Sequence, residues 1–384
     1  MTAAIDEALD WLATQQPAML ALLEEVVNID SGSHDKAGVD AVIARFRRFF
    51  AEAGIETETI PNDVQGDALK AFVPGGGGNR PVVLMGHCDT VFPRGEPARR
   101  PFRIEGSRAY GPGVADMKAG LVMNAFVLAA FARHGGAPCP LVGLYTSDEE
   151  IGSPACRPII EATARDARAV LNSEPGRASG NIVTGRKGGV FMRLAITGRA
   201  AHSGGAFADG ISAIGELAEK IVRLHALTDL DRGITVNVGL VSGGQSVNTV
   251  APDAEGAIDL RYVTPDQRAE AMAAIEGIVA EAFVPGTEAR LEISGEFLAL
   301  VPDEASQALF ETHIAALAEG GTQATGEFSG GCADSGFTAA VGCPTLCAVG
   351  PVGGRGHSPH EYLEIATLLP RAQAMARTLS RITP

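Results

Sequence analysis

The chain has 384 residues, of which 46% are hydrophobic and 20% are charged, and its formal net charge is −15. A chain of this length can bury a large core and accommodates more than one domain. The excess of acidic residues argues against partners with phosphate backbones and against anionic membranes, because the surface would repel them. The sequence therefore predicts a globular protein with no nucleic-acid partner and no membrane partner.

The N-terminal segment, residues 1–28, has apolar residues at helical spacing with acidic residues between them. This pattern predicts an amphipathic packing helix and not a secretory signal, so we expect a cytoplasmic protein. We also see no apolar run of roughly eighteen residues or more that could cross a membrane. The six cysteines form no Cys-x-x-Cys pair. Buried free thiols are therefore expected rather than disulfides or a structural zinc site.

Between residues 17 and 174, helix and strand patterns alternate, which predicts an α/β domain. The apolar run 81–86 predicts a buried parallel strand that ends at His87, the end at which open α/β sheets bind ligands. Asp89 shares a strand face with His87, so its carboxylate could hold the imidazole in one tautomer. Cys88 points to the opposite face and is predicted to belong to the core.

Acidic residues follow the next predicted elements. Asp116 lies in the glycine-rich turn 111–120 before an apolar helix at 121–131, where an N-cap role would be a sufficient structural explanation. Glu149 and Glu150 follow the strand 141–146, and Glu174 follows the strand 169–173. Adjacent carboxylates repel one another unless cations neutralise them. With the late His357, the pattern indicates a site for two zinc ions ~3.5–4 Å apart, which need imidazoles and a bridging carboxylate.

After the turn 185–189, the order of predicted elements changes to β-α-β-β-α-β. The strands are predicted at 190–197, 234–241, 256–263 and 290–296, and the helices at 210–227 and 265–283. This order is that of the ferredoxin-like split βαβ unit, so we predict an inserted domain at 188–297 and a first domain at 1–187 and 298–384. The chain then passes through the glycine-rich turn 329–336 and a strand at 344–349, which places His357 in the first domain.

Three motifs carry a resemblance to a known family. Gly86–Thr90, Gly111–Lys118 and Asp148–Ser153 resemble the signatures of the M20 zinc peptidase and deacylase family. Ala109–Gly113, Ser173–Pro175 and His357-Ser358 before Glu361-Tyr362 are most similar to its glutamate carboxypeptidase (carboxypeptidase G) branch. The resemblance covers nearly the whole chain. It implies a two-domain α/β protein with a zinc-peptidase-like α/β/α catalytic domain and an inserted ferredoxin-like α+β dimerisation domain.

The resemblance also implies roles for individual residues. Two zinc ions are implied per chain, for which Co²⁺ or Mn²⁺ could substitute. His87 and Glu174 would bind one ion, Glu150 and His357 the other, and Asp116 both. Glu149 would be the general base, and Asp89 would hold the imidazole of His87. His360 is a rival for His357, but the His-Ser step matches the family at His357.

The inserted domain is implied to contribute three further residues, and Lys187, just before it, would be a fourth. His202, just beyond a strand end, would reach the active site of the partner subunit and steady the developing oxyanion, which implies a homodimer. Arg261 and Asn248 match positions that hold a substrate carboxylate, a task that suits a planar guanidinium. An ion pair of Arg261 with Asp259 is an alternative that could hold at the same time. Lys187 is a weaker substrate contact, and a solvated turn lysine explains it equally well.

The resemblance implies hydrolysis of an amide bond that releases a C-terminal amino acid, by first choice glutamate, from a small molecule or short peptide with a free carboxylate. An N-acyl-amino-acid deacylase of the acetylornithine deacetylase or succinyl-diaminopimelate desuccinylase type is the alternative enzyme. A non-catalytic binding protein on the same scaffold is a third reading. Phe207-Ala208 stands where close glutamate carboxypeptidases tend to have Pro-Glu, which loosens the substrate assignment.

Overall fold

The computed structural model describes residues 2–382. Within them the helices are α1 Thr2–Ala13, α2 Gln16–Val27, α3 Lys36–Glu52, α4 Glu96–Arg99, α5 Ala119–His134, α6 Arg157–Arg165, α7 Ala213–His225, α8 Pro265–Ala280, α9 Glu304–Glu319, α10 Ser335–Ala340 and α11 Leu368–Arg381. The strands are β1 Glu56–Ile60, β2 Ala68–Val73, β3 Val82–His87, β4 Arg103–Glu105, β5 Arg108–Tyr110, β6 Leu141–Thr146, β7 Ala169–Asn172, β8 Ile182–Arg186, β9 Gly188–Thr197, β10 Ala201–His202, β11 Thr235–Gly243, β12 Thr249–Val250, β13 Asp253–Tyr262, β14 Glu288–Phe297, β15 Gly326–Ser329, β16 Thr345–Cys347, β17 Gly353–Gly354 and β18 Tyr362–Glu364.

The described residues form two compact units. The larger unit lies within Met1–Gly185, Pro302–Ser329 and Ala333–Pro384, and the smaller comprises Arg186–Val301 and Gly330–Cys332. The predicted boundaries, 187/188 and 297/298, lie close to these, but the segment 330–332 was predicted to belong with the larger unit. It joins the smaller unit because Arg186 Nη1 donates hydrogen bonds to the carbonyls of Gly331 and Cys332, over 3.2 and 3.3 Å.

The larger unit is built on an eight-stranded mixed sheet with the order β1-β2-β6-β3-β7-β16-β8-β15. The strands β6, β3, β7 and β16 at its centre are parallel. Every residue of β3 and β6 is buried, as expected for strands that are covered on both faces. The predicted α/β class is confirmed, and Cys88 lies in the hydrophobic core as predicted.

The N-terminal segment differs from its prediction. The single amphipathic helix expected over residues 1–28 is two helices, α1 and α2, which are separated at Thr14 and Gln15. Pro17 occupies the first turn of α2. Proline lacks the N–H that a continuous helix would need and fixes φ at a value that suits a helix start. The break therefore follows from the sequence, and the prediction of one helix was wrong.

One described helical stretch, Val114–His134, is long and apolar enough to cross a membrane by length and composition. The sequence predicted no such stretch. However, 94% of its apolar window is buried inside the larger unit. Residues 119–131 of α5 are all buried, so the helix is apolar on every side because protein surrounds it. The six cysteines are all free, as the sequence predicted; five are buried, and Cys332 is half-buried.

The smaller unit has the predicted β-α-β-β-α-β order, formed by β9, α7, β11, β13, α8 and β14. Its sheet has the order β11-β13-β9-β14 with antiparallel neighbours, which is the ferredoxin-like arrangement. Burial alternates along β13, so one face of the sheet packs against its own hydrophobic cluster. The predicted element ends differ from the observed ones by a few residues.

A buried ion pair within α7 lies against the end of α8. Lys220 and Glu216 are both fully buried, and Lys220 Nζ lies 2.8 Å from Glu216 Oε1. The same ammonium donates to the carbonyls of Ile278, Val279 and Glu281 over 2.7, 3.0 and 2.5 Å. Carbonyls at a helix end have no partner within their own helix, and Lys220 supplies one.

Replacing Lys220 by Met is therefore expected to lower the free energy of unfolding by about 3–5 kcal/mol, because it leaves a buried carboxylate without its counter-charge. Urea denaturation followed by circular dichroism measures the effect. Glu219→Gln, which removes the exposed pair with Arg223 on the same helix, is the control and should cost about 1 kcal/mol or less. Equal effects of the two variants would contradict this account of the buried pair.

Candidate metal centre

The carboxyl ends of three neighbouring strands carry the predicted site. His87 is the last residue of β3, Glu149 and Glu150 follow β6, and Glu174 follows β7. Since β6, β3 and β7 are adjacent and parallel, their carboxyl ends lie at the same edge of the sheet. The side chains that follow them are therefore brought together, as expected for a ligand site of an open α/β sheet.

Two further residues reach this edge from loops. Asp116 lies between β5 and α5 with φ −109° and ψ 92°, which are not helical values. Its side chain does not cap α5, whose N-cap is Lys118 without a side-chain cap, so the N-cap explanation of Asp116 was wrong. His357 lies in the loop between β17 and β18 with φ 59°, a left-handed conformation that is uncommon outside glycine and often found at functional sites.

Five of these six residues form two groups that share Asp116. His87, Asp116 and Glu174 form one group and Asp116, Glu150 and His357 the other, each with ligand atoms within 4.8 Å of one another. His87 Nε2 lies 3.4 Å from Asp116 Oδ1, and His357 Nε2 lies 3.3 Å from Asp116 Oδ2. The two carboxylate oxygens of Asp116 thus face different histidines, which is the arrangement that a bridging ligand needs.

The donor set fits a pair of divalent metal ions. His87 Nε2 is buried and has no hydrogen-bond partner among the described residues, although it lies 3.7 Å from Glu174 Oε1. His357 Nε2 lies 3.1 Å from Glu150 Oε2 in the second group. Imidazole nitrogens with carboxylates are the ligands that zinc takes in catalytic sites. A buried imidazole nitrogen without a partner, aimed at carboxylates, is accounted for by a cation between them.

The close approach of carboxylates and imidazoles in the two groups shifts the pKa values of their side chains. Burial alone would raise the pKa of Asp116, but its contacts with His357 and His87 outweigh burial and hold that pKa well below its usual range. Contacts with Asp116 and Glu150 raise the pKa of His357 to about 10. The carboxylates therefore already stabilise positive charge at the positions where metal ions would supply it.

Asp89 contacts His87 and the turn of Glu149 and Glu150 and holds both in place. Its carbonyl oxygen lies 3.1 Å and its Oδ1 3.3 Å from His87 Nδ1, so Nε2 faces the site. The carboxylate also accepts hydrogen bonds from the backbone N–H groups of Glu149 and Glu150, each over 3.1 Å, and from Ser33 Oγ over 2.6 Å. Asp89 thus orients the imidazole and the turn that carries both glutamates.

Glu149 belongs to neither group. Its Oε2 lies 3.8 Å from His87 Nε2, and the residue is 7% exposed. Burial raises the pKa of its carboxyl well above the usual range; His87 opposes this shift, whereas Glu174 and Asp334 reinforce it. A buried carboxyl beside the ligands, but outside the ligand groups, can exchange a proton with a reacting group.

Two buried acids of the site were missed as functional residues from the sequence. Asp334 Oδ1 accepts a short hydrogen bond from Ser153 Oγ, and Asp148 Oδ2 accepts from the N–H groups of Ala155 and Cys156 over 2.6 and 3.2 Å. These contacts fix the segment after Glu150. The signal for Asp334 was its place in the glycine-rich turn 329–336, whose partner cannot be read from the sequence.

Glu361 is a third buried acid that was missed. It is fully buried, and its carboxylate accepts hydrogen bonds from the backbone of the turn that carries Asp116. Burial and the neighbouring Asp116 raise the pKa of Glu361 to about 7, although the N–H groups of the turn oppose the shift. Its position shortly after His357 was the signal available in the sequence.

The match to a known family covers most of the chain. Residues 83–381 match peptidase family M20/M25/M40. The chain belongs to this family. The predicted resemblance is therefore confirmed, and the chain is a metallohydrolase of the M20 family with a candidate site for two metal ions.

Individual relatives agree with the assignment. The chain is 30% identical to Carboxypeptidase G2 of Pseudomonas sp. (strain RS-16) over 95% of its own length and 89% of that protein. It is 28% identical to the succinyl-diaminopimelate desuccinylase of Bordetella petrii over 96% and 99% of the two chains. The M20 family metallo-carboxypeptidase Sso-CP2 from Sulfolobus solfataricus has the same fold, with a TM-score of 0.79 at 18% identity over 95% and 99% of the chains.

The smaller unit of this M20 hydrolase brings His202 and Asn248 together. His202 in β10 pairs with Thr249 in β12, and Ser203 N–H donates to the Asn248 carbonyl over 3.0 Å. His202 Nδ1 accepts hydrogen bonds from the N–H groups of Gly204 and Gly205, each over 3.1 Å. This places the ring proton on Nε2, so His202 presents an exposed N–H donor.

Arg261 lies in β13 of the four-stranded sheet, near the end of that strand that is remote from His202. Its Nε donates to Asp259 Oδ1 over 2.8 Å, so the ion pair predicted as an alternative is present. Its Nη1 lies 2.7 Å from Cys332 Sγ, and its guanidinium lies 5.1 Å from the centre of the Phe191 ring. These contacts hold the guanidinium plane. Lys187 is half-buried between β8 and β9.

Proposed function

We propose that this M20 hydrolase cleaves an amide bond and releases a C-terminal amino acid, by first choice glutamate, from an N-acyl or peptidyl conjugate. The observation that carries the proposal is the pair of ligand groups that share Asp116, with the buried Glu149 beside them. The similarity to Carboxypeptidase G2, with 30% sequence identity along nearly the whole chain, supports the carboxypeptidase type of substrate.

His87, Glu174, Glu150 and His357 would hold two metal ions, with Asp116 between them; zinc is the first choice, and Co²⁺ or Mn²⁺ could substitute. Such ions polarise a carbonyl and lower the pKa of a water molecule. Glu149 would take the proton of the attacking water and give it to the leaving nitrogen. Its burial suits this task, because a carboxyl shielded from bulk water keeps the proton for the leaving group.

Arg261 would bind the free carboxylate of the substrate, with Asn248 as a further contact and Lys187 as a weaker one. Asp259 and Cys332 fix the plane of the guanidinium, so little side-chain freedom would be lost when a carboxylate binds. Because Arg261 loses little conformational entropy on binding, the fixed guanidinium favours the binding of a carboxylate whose two oxygens lie in its plane.

Replacing Arg261 by Ala is expected to lower kcat/KM for a free-carboxylate substrate roughly 10- to 100-fold, because a hydrogen bond to a charged group contributes about 1.5–3 kcal/mol. The same substrate with its α-carboxylate amidated should change little. Arg193→Ala, which removes the exposed pair with Glu255 on the neighbouring strand, is the matched control. An equal loss for both substrates would remove Arg261 as the carboxylate contact.

We also propose that the active enzyme is a homodimer in which His202 acts on the partner's substrate. His202 and Asn248 lie beyond the start of β13, whereas Arg261 lies near its end. Ten residues of strand separate the two ends, about 25–30 Å at ~3.3 Å per residue. A single copy of this unit cannot bring both ends to one small substrate, so two copies are needed if all three residues act on it.

The surface of the smaller unit supports a second copy as the partner. β11 is one of the two edge strands of its sheet, and such edges pair readily with another strand. Leu240 and Val241 on β11 are 74% and 62% exposed, and Val222 on the adjacent α7 is 70% exposed. A two-fold contact between two copies of this surface would bury these side chains and give the backbone N–H and C=O groups at the edge of β11 hydrogen-bond partners.

Mixing two inactive variants tests the dimer. His202→Ala and Glu149→Gln each lack one group, but a hybrid dimer has one site with the Glu149 of one copy and the His202 of the other. Activity should recover to about a quarter of the wild-type value, since half of the random dimers are hybrids with one complete site each. No recovery in a mixture of differently tagged variants, in which tandem affinity capture shows that hybrids are present, would exclude this role of His202.

A matched panel tests the substrate: an N-acyl-glutamate, its α-amide, and N-acyl-ornithine, each hydrolysed by the zinc-repleted protein. Preference for the free-carboxylate glutamate supports the carboxypeptidase function. The identity to succinyl-diaminopimelate desuccinylase favours a second candidate, an N-acyl-amino-acid deacylase. Preference for ornithine, or indifference to amidation, would move the assignment to that deacylase.

A further inference from the structure

Glu361 is a fully buried carboxylate that is surrounded by backbone donors. Its Oε2 accepts a hydrogen bond from the N–H of Gly113 over 3.0 Å. Its Oε1 accepts from the N–H groups of Ala115 and Asp116 over 2.8 and 2.9 Å. Successive backbone N–H groups that converge on one anion form a concave anion-binding turn, whose shape depends on the anion inside it.

The side chain connects two loops that are remote in sequence. The three N–H groups belong to the turn that carries Asp116, and Glu361 itself belongs to the loop between β17 and β18 that carries His357. Gly356 in that loop packs against Asp116, since a Cβ there would lie 3.0 Å from Asp116 Oδ2. One carboxylate thus fixes the bridging ligand and the loop of a terminal ligand relative to each other.

We propose that Glu361 is a positioning residue that presets Asp116 and His357 before metal binds, and thereby determines the affinity of one of the two ions. The inference rests on the proposed metal function. The ion of the His87 group has a second anchor, because His87 is the last residue of a buried central strand. The ion of the His357 group depends on two loops, so it should lose the most when Glu361 is changed.

A glutamine at this position cannot reproduce the carboxylate. Its single oxygen could still accept from Ala115 and Asp116, but its NH₂ group would face the N–H of Gly113, donor against donor. The turn must then shift or leave that donor without a partner. Glu361→Gln is therefore a conservative change in shape that removes one of the three contacts.

Zinc titration of the metal-free full chain by calorimetry, with a competing chelator, measures the effect. Wild type should bind two ions, and Glu361→Gln should bind one ion normally and the other roughly 10- to 100-fold more weakly. Glu364→Gln is the matched control. It removes the ion pair with Arg108 at the end of β18, the strand that follows Glu361, and it should bind both ions like wild type.

Two normal affinities in a folded Glu361→Gln protein would overturn the inference. Wild type that binds no metal would overturn the proposed function, and this inference with it. Amide hydrogen exchange of the metal-free wild type needs no variant. The N–H groups of Gly113, Ala115 and Asp116 should already be protected without zinc; protection that arises only on addition of zinc would show that the metal, and not Glu361, organises the turn.

Discussion

Replacing Glu149 by Gln is expected to lower kcat by ~10²- to 10⁴-fold while both metal ions stay bound. Glutamine has nearly the same shape but cannot take a proton from water. Glu149 lies in neither ligand group, so its replacement removes no metal ligand. Hydrolysis of the N-acyl-glutamate gives kcat, and metal analysis of the dialysed protein gives the number of bound ions.

The adjacent Glu150 provides the matched control. Glu150→Gln removes a carboxylate that lies in the group with Asp116 and His357, so this variant should lose metal as well as activity. Two neighbouring glutamates of the same turn would then show different defects, one in proton transfer and the other in metal binding. Normal turnover in Glu149→Gln would remove Glu149 as the base.

Replacing Asp116 by Ala is the change with the largest expected effect on metal content. Asp116 is the one residue common to both ligand groups, and each of its oxygens faces a different histidine. Without it, both positions lose a ligand and the charges of two close cations are no longer bridged. We expect fewer than two ions per chain and an activity loss greater than the ~10- to 100-fold caused by changes to outer contacts.

The measurement combines metal analysis with hydrolysis at increasing zinc concentration. Asp63→Asn, at an exposed aspartate of the same unit, is the control and should keep both metal and activity. Retention of two tightly bound ions by Asp116→Ala would contradict the bridging role. Activity restored fully by excess zinc would show that Asp116 contributes affinity alone.

Much of the fold could be predicted from the sequence where local pattern and global structure agree. The apolar run before His87 predicted a buried parallel strand, and β3 is one. The element order of the smaller unit was predicted correctly because turns and periodicity mark each element. The N-terminal helix was predicted as one element since its apolar spacing continues past Pro17, although proline starts a new helix there.

How well the position of a site residue could be predicted from the sequence depended on the element that carries the residue. Residues at strand ends, such as His87 and Glu150, could be placed at one sheet edge because parallel strands share that edge. Asp116 was ambiguous, since an aspartate before a helix is usually a cap and only the backbone angles exclude that role here. Asp334 and Glu361 could not be assigned partners, because Ser153 and Asp116 lie 181 and 245 residues away.

The sequence by itself determined which residue types stand at the ends of which elements, and hence the ligand chemistry and the family. Short-range sterics and hydrophobic periodicity encode these features within a few residues. Only the tertiary structure decided that Asp116 faces two histidines, that Glu361 joins two loops, and that His202 and Arg261 lie near opposite ends of β13. These relations join residues far apart in the chain, and they depend on strand order and packing, which no local pattern specifies.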